Sequence, residues 1–334
     1  MLSIIIPLYN AEKYIGNCLN SLVKQDYQDI EIIIVNDGST DGSKRIVETF
    51  IKQYPNIYLY HQENGGIGTA RNAAIKKAKG DYLYFIDSDD YIAENVLGTL
   101  MAILINNELE ILGFKTQNTK LLTLNVSENI NDFDLNSKVA AYTGEEFIGN
   151  FNYRTEVWWY IVKKDFFKAT LLSFYPRKFV QDTYFTPSLF LQAEKIGYVP
   201  MDVHRYVRNL ESVSNKRTPG HIKKHMYDMG FAIEQLHYLL QKTNHKKCQI
   251  RLRNRQQSHV FFLLLRFTHS NMDFKELGKL LTKFNTYGAY PLTGFPGADY
   301  QGLKYKTLST IFNLPSLIRN PFLLMLKKYN SYKK

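Results

Sequence analysis

Cysteine is nearly absent from this chain of 334 residues, which has only Cys18 and Cys248. They form no CxxC pair and no metal-ligand spacing, which excludes a disulfide framework and leaves free thiols in a reducing compartment as the expectation. Long apolar runs are also missing. The longest in the C-terminal half, VFFLLL (260–265), stops at Arg266 and is too short to span a bilayer. The opening MLSIIIPLYN has neither the basic start nor the apolar length of a signal peptide. The eight histidines form no HExxH, and no GxxxxGK[ST] occurs. GGIGTAR (65–71) has Arg71 where GxGxxG needs its last glycine. Neither a Walker-type phosphate loop nor a dinucleotide-binding glycine loop is supported.

Acidic residues are scarce in one region only. Residues 201–334 hold seven Asp and Glu against twenty-three Lys and Arg, a net +16. Residues 1–110 hold fifteen against nine, a net −6. An acidic front and a basic back point to different partners for the two halves, the back suiting nucleic acid, anionic lipid or a phosphorylated substrate.

The first 114 residues alternate regularly. LSIIIPLY (2–9), IEIIIVN (30–36), NIYLYHQ (56–62), DYLYFID (81–87) and LEILGF (109–114) have the length and β-branched content of buried strands. Between them, 11–25, 39–54, 65–80 and 93–107 carry helical spacing. This alternation predicts a parallel sheet covered by helices on both faces. Residues 115–143 are polar and aperiodic and read as a variable excursion, and from about 220 the pattern is helical.

Ligands of an open α/β sheet bind beyond the carboxyl ends of its strands. Three of those ends are chemically unusual: Pro7-Leu8-Tyr9-Asn10, Asn36-Asp37-Gly38-Ser39-Thr40-Asp41 and Asp87-Ser88-Asp89-Asp90. Clustered carboxylates are tolerable where a hard divalent cation neutralises them, and Mg²⁺ takes one or two carboxylates plus substrate phosphates. The competing reading is a solvated turn that caps the next helix, with Asp90 near its N-terminus. Likewise, Ser39 and Thr40 read as helix caps.

The stretches 3–43 and 64–90, in that order, resemble family 2 glycosyltransferases of the GT-A fold. The likeness is strong over residues 1–114 and weaker through VWWYIVKKDFF (157–167), FVQDTYF (179–185) and HRYVRNLESVSN (204–215). It implies a Rossmann-like, mostly parallel sheet in a GT-A domain over residues 1–217. Within it, residues 1–114 would bind the nucleotide sugar and residues 144–217 the acceptor. A helical region, 218–334, follows. The resemblance further implies that Pro7, Tyr9 and Asp37 line a uridine pocket, with Asn10 and Ser88 on the same rim and Arg71 near the nucleotide. Asp87 would face the ribose and metal region, and Asp89 would bind Mn²⁺ or Mg²⁺ directly. Asp182 falls at the family's catalytic base, within a pair that reads Gln181-Asp182 here rather than Glu-Asp. Tyr206, Arg208, Ser212 and Ser214 match a stretch that closes over the diphosphate.

The implied partners are a UDP-sugar donor and a glycan or lipid-linked glycan acceptor. The expected location is cytoplasmic, peripheral at the inner face of the membrane. Of the adjacent Trp158 and Trp159, one is expected in the core and Trp158 as an apolar platform for a sugar ring. His204 is placed near the diphosphate. The basic tail 304–334 reads either as a helical subdomain with solvated lysines or as an interfacial helix on anionic lipid. No nucleic-acid motif supports the third partner class. A nucleotidyltransferase and a non-catalytic homologue remain open at this point.

Overall fold

The computed structural model describes residues 1–208, 218–294, 300 and 302–332. The chain forms two compact units. Unit 1 comprises 1–147, 153–178 and 188–210; unit 2 comprises 148–152, 179–187 and 211–334.

Unit 1 contains an eight-stranded sheet. Its strands are β1 (Leu2–Leu8), β2 (Ile30–Asn36), β3 (Ile57–His61), β4 (Tyr82–Phe85), β5 (Tyr91–Ile92), β6 (Ile111–Thr119), β7 (Tyr160–Lys163) and β8 (Ile196–Val207). The spatial order is β3-β2-β1-β4-β7-β6-β8-β5. The helices that alternate with them in sequence are α1 (Ile15–Val23), α2 (Ser43–Ile51), α3 (Ile67–Lys77), α4 (Leu97–Asn106) and α6 (Lys164–Ala169), while α5 (Gly144–Asn150) and α7 (Asp182–Phe190) are divided between the two units. Every residue of β1 and β2 is buried, as continuous apolar runs in a doubly covered sheet require. The charged exception, Glu31, is satisfied in place: its Oε1 accepts from Ser3 Oγ at 2.6 Å and from the amides of Lys79 and Gly80.

The α/β architecture agrees with the sequence, but the sheet is mixed. β1, β2, β3 and β4 are parallel, as are β6 and β8. By contrast, β7 runs antiparallel to both β4 and β6, and β5 antiparallel to β8. β6 also runs beyond the predicted strand into the polar excursion, because its second half pairs with β8 as far as Thr119–Val207 across a bulge at Phe114–Thr116.

Unit 2 is helical, built largely on α8 (Pro219–Leu240), α9 (Lys246–Phe267), α10 (Phe274–Thr286), α11 (Leu303–Asn313) and α12 (Ser316–Tyr332). Its core gathers Met226, Ile233, Phe261, Leu264, Phe312 and Leu323. A capping box starts α10: Asp273 accepts from the Glu276 amide and Glu276 from the Asp273 amide.

Candidate active site

The order β3-β2-β1-β4 reverses direction between β1 and β4, the position at which open α/β sheets bind ligands. The chain opens a crevice there for a simple reason. The Ile86 amide donates to Ile5 O, so Ile5 faces β4, while Leu8 O accepts from Asp37 and faces β2. Pro7, two residues after Ile5, therefore faces the β4 side. It has no N–H to give, and the pairing of β1 with β4 has already ended at Ile5–Phe85.

The turns after β1 and β2 are stitched together. Asn10, at φ 48°, donates its amide to Ser39 Oγ, and its Oδ1 accepts from the Thr40 amide at 2.8 Å. Ser39 and Thr40 thus tie two turns together rather than cap α2, whose N-cap is Gly42, and Asp41 Oδ1 accepts from the Ser43 amide at the start of that helix. Tyr9 is exposed beside them.

Asp37 is buried. Its Oδ1 accepts from Gln62 Nε2 and the Gly65 amide, and its Oδ2 accepts from the Gly66 amide, at 2.7–2.8 Å. Gly66 sits at φ 88°, where a side chain would be strained, and it precedes α3. Asp37 thereby fixes the start of the helix that carries Arg71. Arg71 is itself buried and holds Asp87 Oδ1 at 2.8 Å, with its guanidinium 5.2 Å from the Phe174 ring.

The acidic turn after β4 divides into two roles. Asp87 and Asp89 are partly exposed, and Ser88 between them is buried. Asp90 points inward, correcting the expectation of a helix cap. It accepts from the Val207 amide at 2.8 Å and pairs with His204 Nε2 at 3.1 Å, while His204 Nδ1 bonds Tyr84 Oη at 2.9 Å. His204 is fully buried behind the rim rather than open to a diphosphate. Burial first, opposed by Asp87, lowers its pKa to about 3. Burial, reinforced by Asp87, drives Asp90 upward. Other titratable groups report the same negative field. Tyr206 is raised by burial and then by Asp90, Asp89, Asp87 and Glu156. Cys18, whose Sγ lies 3.9 Å from Asp87 O, is raised well above the usual thiol value by burial and the same three aspartates.

Neither tryptophan forms an open platform. Trp158 is buried, stacked on His204 at 4.7 Å and Tyr206 at 5.3 Å, with Arg154 4.6 Å from its ring. Trp159 is buried over Gly113, where a Cβ would come within 2.4 Å of the indole. Arg154 was missed in the sequence; the only signal was a cation just before the tryptophan pair. It also pairs with Glu156 at 3.4 Å. Asp202 is sealed against Arg205, both buried. Arg208, exposed, donates its amide to Thr119 O immediately after the residue that holds Asp90. Ser212 and Ser214 lie outside the described residues.

Asp182 belongs to unit 2 and opens α7. Val180 and Thr183, on either side of it in sequence, line a cavity of about 360 Å³ together with His225, His259, Arg266 and His269. Val180 holds φ 49°, a strained conformation for a β-branched residue. Gln181 is buried, and its Oε1 has no hydrogen-bond partner among the described residues.

Among the described residues no group of three or more His, Cys, Asp and Glu surrounds a single point. Two neighbouring carboxylates on a rim suit a hard cation that completes its shell with phosphate oxygens.

Comparison with known proteins adds the family. Residues 3–163 match the model of Glycosyl transferase family 2. The uncharacterized glycosyltransferase EpsJ of Bacillus subtilis (strain 168) is 33% identical over 222 residues, 64% of this chain and 63% of EpsJ. The chain thus aligns with less than two thirds of that relative's length. The poly(ribitol-phosphate) beta-glucosyltransferase of Bacillus spizizenii is 34% identical over 206 residues, 59% of this chain and 30% of that protein. Among solved structures, S. aureus TarS 1–349 in complex with UDP-GlcNAc superposes with a TM-score of 0.62 at 23% identity, covering 86% of this chain and 80% of that one. Mannosyltransferase PcManGT from Pyrobaculum calidifontis, in complex with GDP-Man and Mn²⁺, gives a TM-score of 0.54 at 14% identity, covering 93% and 86%. With its sheet reversing at β1 and β4 and its acidic turn on that crevice, the chain has the GT-A fold, and its residues 3–163 match glycosyl transferase family 2.

Proposed function

We propose that the protein transfers a sugar from a UDP-sugar to a hydroxyl of a glycan or lipid-linked glycan, with inversion, in cell-surface polysaccharide synthesis at the inner membrane face. The observation that carries this reading is the crevice between β1 and β4, with Asp87 and Asp89 on one lip and the linked turns after β1 and β2 on the other. The UDP-GlcNAc held by TarS supports the donor class. The name of the Bacillus spizizenii relative supports a polymeric acceptor.

In this scheme Asp89, with Asp87, holds Mn²⁺ or Mg²⁺, which when bound offsets the charge gained by the departing diphosphate. Pro7, Tyr9 and Asn10 flank the nucleoside, and Arg71 orients Asp87. Asp182 takes the proton of the acceptor hydroxyl as its oxygen attacks the anomeric carbon. The bond from that carbon to the diphosphate oxygen breaks on the opposite side, and UDP leaves with Arg208 as an additional cation. One base and one displacement invert the configuration. The buried, neutral Gln181 has no proton-accepting group.

The test is release of UDP from a panel of UDP-sugars with glycan acceptors and Mn²⁺, together with NMR of the product anomer. Acceptor-dependent release and an inverted anomer are expected. Failure of every UDP-sugar, and of UDP itself, to raise the melting temperature would reject the assignment.

A further inference from the structure

We propose that helix α12 seats the protein on an anionic membrane surface. The helix is anchored through one side: Leu323 and Arg319 are buried, Arg319 donates to Tyr290 Oη at 2.8 Å, and Lys327 Nζ donates to Met272 O at 2.9 Å. Its other side should then be polar, as on an ordinary surface helix. Instead it carries Leu317, Ile318, Pro321, Leu324, Met325 and Tyr329, at three- and four-residue spacings that form one stripe, with Lys328 within it. Leu317 is 87% exposed, Met325 58% and Ile318 55%. A contiguous exposed apolar stripe of this kind marks an interaction site.

Charge selects the occupant. Residues 300–334 hold seven Lys and Arg and no Asp or Glu, and Lys304 and Lys306 on α11 are exposed. An exposed apolar stripe in a segment rich in cations and free of acids matches the acyl boundary and headgroups of an anionic leaflet. Among the described residues no helix is long and apolar enough to cross a membrane, so the contact is interfacial. This proposal does not depend on the donor or on the reaction.

Removing the tail is the wrong experiment, because Phe312 and Leu323 belong to the core of unit 2. Instead the full chain is sedimented with phosphatidylcholine vesicles and with vesicles containing about one third phosphatidylglycerol. Binding to the anionic vesicles is expected, and Leu317→Glu combined with Met325→Glu should lower it at least tenfold. Lys304→Glu with Lys306→Glu, at exposed positions, should lower it several-fold for each charge changed, most strongly at low salt. Equal sedimentation of wild type and both variants overturns the proposal. So does self-association that requires Leu317 and Met325 without any vesicle binding, which would make the stripe a contact between copies.

Discussion

Asp87 and Asp89 are the residues whose removal separates a metal site from an acidic turn. UDP should bind more tightly with Mn²⁺ than with EDTA, and calorimetry on Asp89→Ala should show that difference largely gone. Retention of the full enhancement would return Asp89 to a solvated turn. For Asp37 the structure changes the expected outcome. Its carboxylate accepts three protein hydrogen bonds, and removing a carboxylate acceptor from buried donors costs about 1.5–3 kcal/mol. Asp37→Ala should therefore lower the urea midpoint as well as weaken UDP without metal. A loss of UDP affinity with unchanged stability would make Asp37 purely a nucleoside contact. Asp182→Asn preserves shape and removes the proton acceptor. Transfer should fall by roughly 10²–10⁴-fold, while UDP binding stays the same. Transfer near the wild-type rate would remove Asp182 as the base and make the partly exposed Glu156 the next residue to replace, since Asp202 is sealed by Arg205.

At the level of elements, the rim was legible because a strand end is a local feature. An apolar run that breaks into DSDD announces both the strand and its mouth. The partners of Asp90 were not legible: His204 and Val207 lie more than a hundred positions away on β8, and only the folding of the sheet brings them to the acidic turn. β5 escaped notice because two residues carry no period. The antiparallel entry of β7 escaped because alternation alone cannot specify direction. Helices α7, α8 and α9 carry a prediction of their own. His225 on α8 and His259 on α9 are held to about 4 and about 3, by burial first and then by neighbouring cations. The unfolded chain protonates both near 6.5, so it binds protons that the folded chain refuses. Their contribution is intact above that value and is lost as pH falls towards the folded values. For the fully buried His259 the loss is about 1.4 kcal/mol per pH unit below about 6.5. Urea melts from pH 7 to 5 should show it, and His259→Gln should flatten the slope. Parallel slopes in the two proteins would contradict it.

Across the whole molecule, charge and chemistry are segregated along the chain. The acidic residues 1–110 supply the carboxylate rim, and the basic residues 201–334 supply the apolar stripe and its cations. If the rim is the donor site, UDP with Mn²⁺ at a hundred times its dissociation constant should stabilise the protein by about 2.7 kcal/mol, with or without the Leu317→Glu and Met325→Glu changes. A shift abolished by those changes would show that the two functions are not separable.

Both tryptophans lie in unit 1, adjacent and buried in the segment 153–178, whereas unit 2 is predominantly helical. The protein therefore carries two optical reporters that need no labelling. Indole emission follows the melting of unit 1, and the far-ultraviolet helix signal is weighted towards unit 2. Superimposed curves would mean that the two units unfold as one cooperative block, and a gap between them would measure how independently each unit stands.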